Sequence, residues 1–172
     1  PKPPSGKIDT KWLDARQGQL IGSGQCFALA EAWAIHLGIG VSSLTSGNAH
    51  RWGTAPEPSV SAGMGAVNMG HDFDWKSWGW QVIDNPKLSD LEEGDIVCIH
   101  SDYVGGWTPP VGGVPYGHVV IMGRSSGGIT TLWEQNGTSG QICAYQPKTS
   151  GRGMPTMETY VKCGLATAIR KV

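Results

Sequence analysis

Cys26 stands where a thiol gains reactivity. It falls in the first turn of a helix read over residues 25–37. There, open backbone N–H groups and the positive end of the helix dipole lower a thiol pKa. A thiolate so placed is a nucleophile for covalent catalysis. The competing reading is a buried cysteine that happens to start a helix. A partner base would come from His36, His50, His71, His100 or His118. His36 lies near the helix end and serves equally well as a cap. His50 and His71 sit in irregular polar stretches, where solvation is the ordinary role. His100 ends a strand. His118 begins one, in Gly117-His118-Val119-Val120-Ile121-Met122, so a rigid element would hold it and Gly117 would permit close approach. A polar residue that merely opens a strand is the other reading. In Trp133-Glu134-Gln135-Asn136, strand alternation puts Glu134 and Asn136 on one face and Trp133 and Gln135 on the other. Two polar groups on one face suit the orientation of a histidine on a neighbouring strand, or simply a solvated strand end.

The remaining cysteines, Cys98, Cys143 and Cys163, form no Cys-x-x-Cys pair with each other or with Cys26, which disfavours zinc. Cys143 and Cys163 would pair only if their strands adjoin; otherwise all three read as buried thiols.

The elements that must hold these residues come in a definite order. Phe27, Ala30, Trp33, Ala34 and Leu37 recur at helical spacing, with Ser23 expected as N-cap and Gly38 as stop. Residues 40–91 read as loops, with a short helical turn near 61–69 and a short extended segment at 78–83. Strands follow at 95–100, 117–123, 129–135 and 141–146, and one or two more within 159–169. Gly- and Ser-rich turns at 125–128, 137–140 and 150–153 separate them. One early helix and then a run of strands predicts an α+β fold with an antiparallel sheet.

Gly24-Gln25-Cys26-Phe27-Ala28-Leu29-Ala30, Glu93-Gly94-Asp95-Ile96-Val97, Gly117-His118-Val119-Val120-Ile121 and Trp133-Glu134-Gln135-Asn136, in that order, resemble the CHAP family, the cysteine, histidine-dependent amidohydrolases and peptidases. Gly47-Asn48-Ala49 also looks like the family's pattern. The resemblance spans about residues 8–172, which makes 8–172 the expected catalytic domain. It implies a papain-like fold, with N-terminal helices packed on a mostly antiparallel sheet. It implies Cys26 as nucleophile, His118 as base, Glu134 as the residue orienting His118, and Asn136 as a supporting polar group. Gln25 and the N–H of Cys26 would serve the oxyanion site. The implied reaction is cleavage of a peptidoglycan amide, either N-acetylmuramoyl-L-alanine or a stem or cross-bridge peptide bond. Such proteins are phage lysins or extracellular wall remodellers, so action on the bacterial cell wall is expected.

Some relatives bind calcium through an acidic loop before the nucleophile. Here residues 7–15 offer only Asp9 and Asp14 beside two lysines. Calcium takes about six to eight oxygens, so no metal and no cofactor are expected, with calcium the one ion left open. Trp75, Trp78, Trp80 and Trp107 either line a groove for peptide or sugar or bury a loop-rich surface, with Trp107 the candidate for substrate contact. Burial is the expected role of at least half of them.

The whole chain narrows the classes further. Its 172 residues suit one domain, and 26 glycines with 11 prolines imply many turns. A net charge of −1 argues against nucleic acid as a partner. No stretch is long and apolar enough to span a membrane, and no signal-peptide pattern is present. Residues 1–7, with three prolines, read as a linker edge. Weak charge attraction to an anionic wall leads to the expectation of a separate wall-binding domain. The alternatives are an NlpC-type wall hydrolase, whose Asp-Cys-Ser-Gly contrasts with Gln25-Cys26-Phe27-Ala28, a non-catalytic wall-binding module, and a protein-directed cysteine protease.

Overall fold

A computed structural model describes residues 7–40, 66–100, 117–126, 129–135, 144–147, 161 and 164–172. Asn136, Trp107, Cys143, Cys163, His50 and residues 47–49 lie outside them. The fold is α+β. Its helices are α1 (Lys11–Asp14), α2 (Cys26–His36) and α3 (Met69–Asp72). Its strands are β1 (Trp80–Asp84), β2 (Ile96–Ile99), β3 (His118–Ser126), β4 (Ile129–Glu134), β5 (Ala144–Pro147) and β6 (Leu165–Lys171). They form one sheet in the order β1-β6-β2-β3-β4-β5, and every neighbouring pair is antiparallel.

Strand β2 explains how the sheet is sandwiched. All four of its residues are buried, because successive side chains enter opposite layers. Ile96 and Cys98 join the cluster formed with α2, which includes Phe27, Leu29, Ala30, Trp33, Ala34, Val119, Ile121, Trp133 and Ile169. Val97 and Ile99 join the opposite cluster of Val120, Met122, Leu132 and Leu165. Trp33 is fully buried, and its indole N–H donates to the carbonyl of Gly94 at 2.8 Å. Helix α2 is thereby pinned to the turn that enters β2.

Several expectations need correction. Helix α2 runs from Cys26 to His36, not from 25 to 37. Gln25 is its N-cap in extended conformation (φ −79°, ψ 158°), and no side chain caps it. Ser23 is not the cap: Gly24, at φ +82°, turns the chain between Ser23 and the helix, and the Ser23 hydroxyl only accepts a long 3.4 Å bond from the Gln25 N–H. The helix does stop before Gly38, which adopts φ +108°. Within 40–91, the expected helical turn near 61–69 and extended segment at 78–83 are matched at Ala66–Asn68 and Trp80–Asp84, and residues between them are ordered where loops were expected. A 3-10 turn at Ala66–Asn68 leads into α3, a second 3-10 turn at Trp75–Trp78 follows, and β1 takes up the edge of the sheet. Aromatic packing supplies the reason. Phe73, Trp75, Trp78 and Trp80 pack edge-on or tilted against one another at centroid distances from 5.4 to 6.2 Å, and Trp75 and Trp80 are buried. Those two indoles therefore belong to the core, not to a groove.

Candidate active site

The local chain folds to deliver a thiol to the end of a sheet. Gly24 donates its N–H to the Ile21 carbonyl at 3.0 Å, closing a tight turn. Gln25 then runs extended, and Cys26 is the first helical residue. Its sulfur, partly buried, accepts hydrogen bonds from the backbone N–H groups of Phe27 and Val119. The first N–H groups of a helix lack a carbonyl within the helix to bond to, so the N–H of Cys26 is available in principle to a developing oxyanion.

His118 opens β3 and is 3% exposed. Gly117 makes its placement possible. It has φ +68°, and a side chain there would lie 2.4 Å from the Ile99 carbonyl oxygen and 2.7 Å from the Val67 Cβ. Glu134 ends β4 with 0% exposure, and its Oε2 lies 3.1 Å from His118 Nε2. His118 is also hydrogen-bonded to Cys26. The three side chains form one array: thiol, imidazole, carboxylate.

Its electrostatics favour the ion pair. Burial pushes the Cys26 thiol up. The charge and hydrogen bond of His118, with the N–H groups of Val119 and Phe27, outweigh burial and bring it below the ordinary thiol value. Burial likewise pushes His118 down, but the charge and hydrogen bond of Cys26 and the bond and charge of Glu134 raise it above the usual imidazole range. Cys98 provides the contrast. Fully buried without such a partner cation, it is pushed up to about 12.

The other described histidines stand elsewhere. His71 pairs with Asp84 at 2.8 Å on the surface, His36 stacks on Trp12 at 4.6 Å, and His100 is exposed beyond β2. Gln25 is exposed beside Cys26. Asp9 accepts from the Lys11 N–H, and Asp14 pairs with Arg124. Among the described residues, no group of three or more His, Cys, Asp or Glu side chains is placed to hold a metal ion. Reasoning from sequence missed Gln135. It lies on the opposite face from Glu134, is fully buried, and bonds the backbone at Ile21 and Gln25. The available signal was alternation, which puts the Gln135 amide on the same face as Trp133.

No protein-family profile matches the chain, and no curated protein matches it either. Two solved structures share the fold. The first, described as the crystal structure of Ly7917, has a TM-score of 0.61 at 23% identity. The second, Ly7917 with the hydrolyzing product of MDP, has a TM-score of 0.58 at 22% identity. Each match covers 92% of this chain and 59% of the other, so this chain spans less than two thirds of that protein.

Proposed function

We propose that the chain is a cysteine-dependent hydrolase of peptidoglycan amide bonds, of the CHAP type and papain-like in arrangement, acting on the bacterial cell wall. The observation that carries this reading is the Cys26–His118–Glu134 array, with Cys26 at the start of a helix against a buried His118–Glu134 pair. The shared fold with a protein seen with a hydrolysis product of MDP, muramyl dipeptide, supports peptidoglycan as the substrate class.

In this mechanism His118 holds the proton lost by Cys26, and the thiolate adds to the amide carbonyl carbon. The N–H of Cys26 and the amide of Gln25 face the oxyanion. As the tetrahedral adduct collapses, the C–N bond breaks and His118 delivers its proton to the departing amine. Water then adds to the thioester, losing its proton to His118, and the carboxylic acid leaves as the sulfur is regained. Glu134 keeps the imidazole oriented and stabilises its charged form. Asn136, two residues on in sequence, serves as a supporting polar group, and Trp107 as a substrate contact. None of these steps draws on a metal, with calcium the one ion left open. A separate wall-binding domain supplies targeting, and the protein is phage-encoded or extracellular.

Zymography on embedded cell walls, with and without a thiol alkylator, tests the reading. Clearing that the alkylator abolishes is the expected result. Clearing that survives alkylation, or binding without clearing, would refute it. Release of peptides from casein but not from walls would instead mark a protein-directed protease. Mass spectrometry of the digest identifies the bond.

A further inference from the structure

Glu134 and Gln135 are consecutive, and strand alternation sends their side chains to opposite faces. Glu134 grips the imidazole. Gln135 reaches the other way, to the loop that carries the nucleophile. Its Oε1 accepts from the Ile21 N–H at 2.8 Å. Its Nε2 donates to the carbonyls of Ile21 at 2.9 Å and Gln25 at 3.0 Å. Both carbonyls already organise the approach to Cys26. That of Ile21 accepts the Gly24 N–H of the tight turn, and that of Gln25 accepts the Ala28 N–H at 3.1 Å, opening α2. The amide therefore ties down the turn and the helix start together, with Cys26 between them, from a fully buried position.

We propose that Gln135 is a positioning residue: it fixes the backbone carrying Cys26 against the strand carrying Glu134, and so sets the approach of sulfur to imidazole. The inference rests on the hydrolase reading above for its catalytic meaning. The geometry itself does not depend on which bond is cleaved. Misplacement of a reacting group by about 1 Å can cost about a hundredfold in rate, so a loosened loop has a large effect without any change in substrate contacts.

The test uses Gln135→Met, which keeps the length and loses every hydrogen bond, and Gln135→Glu, which keeps the acceptor but faces two carbonyls with a carboxylate. Trp33→Phe is the control, since it removes a buried hydrogen bond to Gly94 about two turns along α2 from Cys26. The rate of iodoacetamide addition at Cys26 is followed on its peptide, and kcat and KM are measured on soluble peptidoglycan fragments. All are run at temperatures where circular dichroism shows the proteins folded. Both Gln135 variants should slow alkylation and kcat by about tenfold, with KM changed less than about twofold. Trp33→Phe should move neither rate. Unchanged rates in folded Gln135 variants, or an equal loss in the control, would overturn the proposal. If Gln135→Met does not fold, Gln135→Glu decides. Alkylation needs no wall substrate, which separates the two ideas. Slowed alkylation in a protein that leaves walls intact rejects the hydrolase and keeps Gln135. Wall cleavage with unchanged alkylation rejects Gln135 alone.

Discussion

Cys26 and Cys98 show how environment divides one residue type into two chemistries. One thiol faces an imidazolium and two N–H donors; the other is sealed in the core and pushed up to about 12. Iodoacetamide at neutral pH should modify the Cys26 peptide and leave the Cys98 peptide untouched, as read by mass spectrometry. Cys26→Ser should lower wall hydrolysis by at least about a thousandfold, as loss of a nucleophile does elsewhere, with an unchanged melting curve. Glu134 sets a second prediction. Activity rises with pH as the sulfur loses its proton, below the ordinary thiol value. It falls only as the imidazolium loses its own, above the ordinary imidazole value. Removing the carboxylate removes one cause of the raised His118 value. Glu134→Gln should therefore pull the alkaline limb of the pH–rate profile to lower pH. Turnover should fall about ten- to a hundredfold, the range expected for a hydrogen bond to a charged group. Asn136→Ala should cost less. A larger loss in Asn136→Ala, with both variants folded, would give Asn136 the role assigned to Glu134.

At the level of elements, β3 owes its start to Gly117. Gly117→Ala would force a side chain into the Ile99 carbonyl and keep a left-handed φ, a strain of about 1–3 kcal/mol before the clash is counted. Melting should fall by about 4 °C or more, and turnover should fall with it, because His118 is the next residue. Arg170 fastens β6 to the turn before β2. It donates to the buried Asp95 through Nε at 2.8 Å and Nη2 at 2.7 Å. Arg170→Met leaves that buried carboxylate with only the Glu92 N–H at 2.8 Å as a donor among the described residues, so stability should fall by up to about 3–5 kcal/mol, measurable by denaturant titration. The same elements show what sequence could reveal. Helix α2 was legible because Phe27, Ala30, Trp33 and Ala34 repeat at helical spacing, and all four are buried. The strands were legible from apolar runs bounded by glycine-rich turns. Faces in β4 were also legible, since the alternation that pairs Glu134 against Gln135 is a property of any strand. The region from 66 to 84 was legible only at its two ends, as a helical turn and an extended segment. The helical turns between are too short to show a period, and they are held by aromatic packing among Phe73, Trp75, Trp78 and Trp80, which is tertiary information. Gln135 was missed for the same reason: its partners lie more than a hundred positions away.

Taken as a whole, the molecule holds its charges close to balance, with a net charge of −1. Wall hydrolysis by this chain should therefore vary little between low and moderate salt, since long-range steering needs a field of one sign. Chelation by EDTA should leave at least about half the activity, because calcium needs several carboxylates and Asp9 and Asp14 are engaged by Lys11 and Arg124. Complete loss, restored by calcium alone, would locate an ion site among residues outside those described. The strand order carries a consequence for synthesis. β6, the latest of the six strands in the chain, lies between β1 and β2. A ribosome emits its product from the N-terminal end at about 5–20 residues per second. β1 and β2 thus wait for their shared neighbour until residue 171 has cleared the exit tunnel. A nascent chain that already displays Cys26, His118 and Glu134 still lacks the strand that closes the sheet. An enzyme built this way completes its sheet only after its latest strand has emerged.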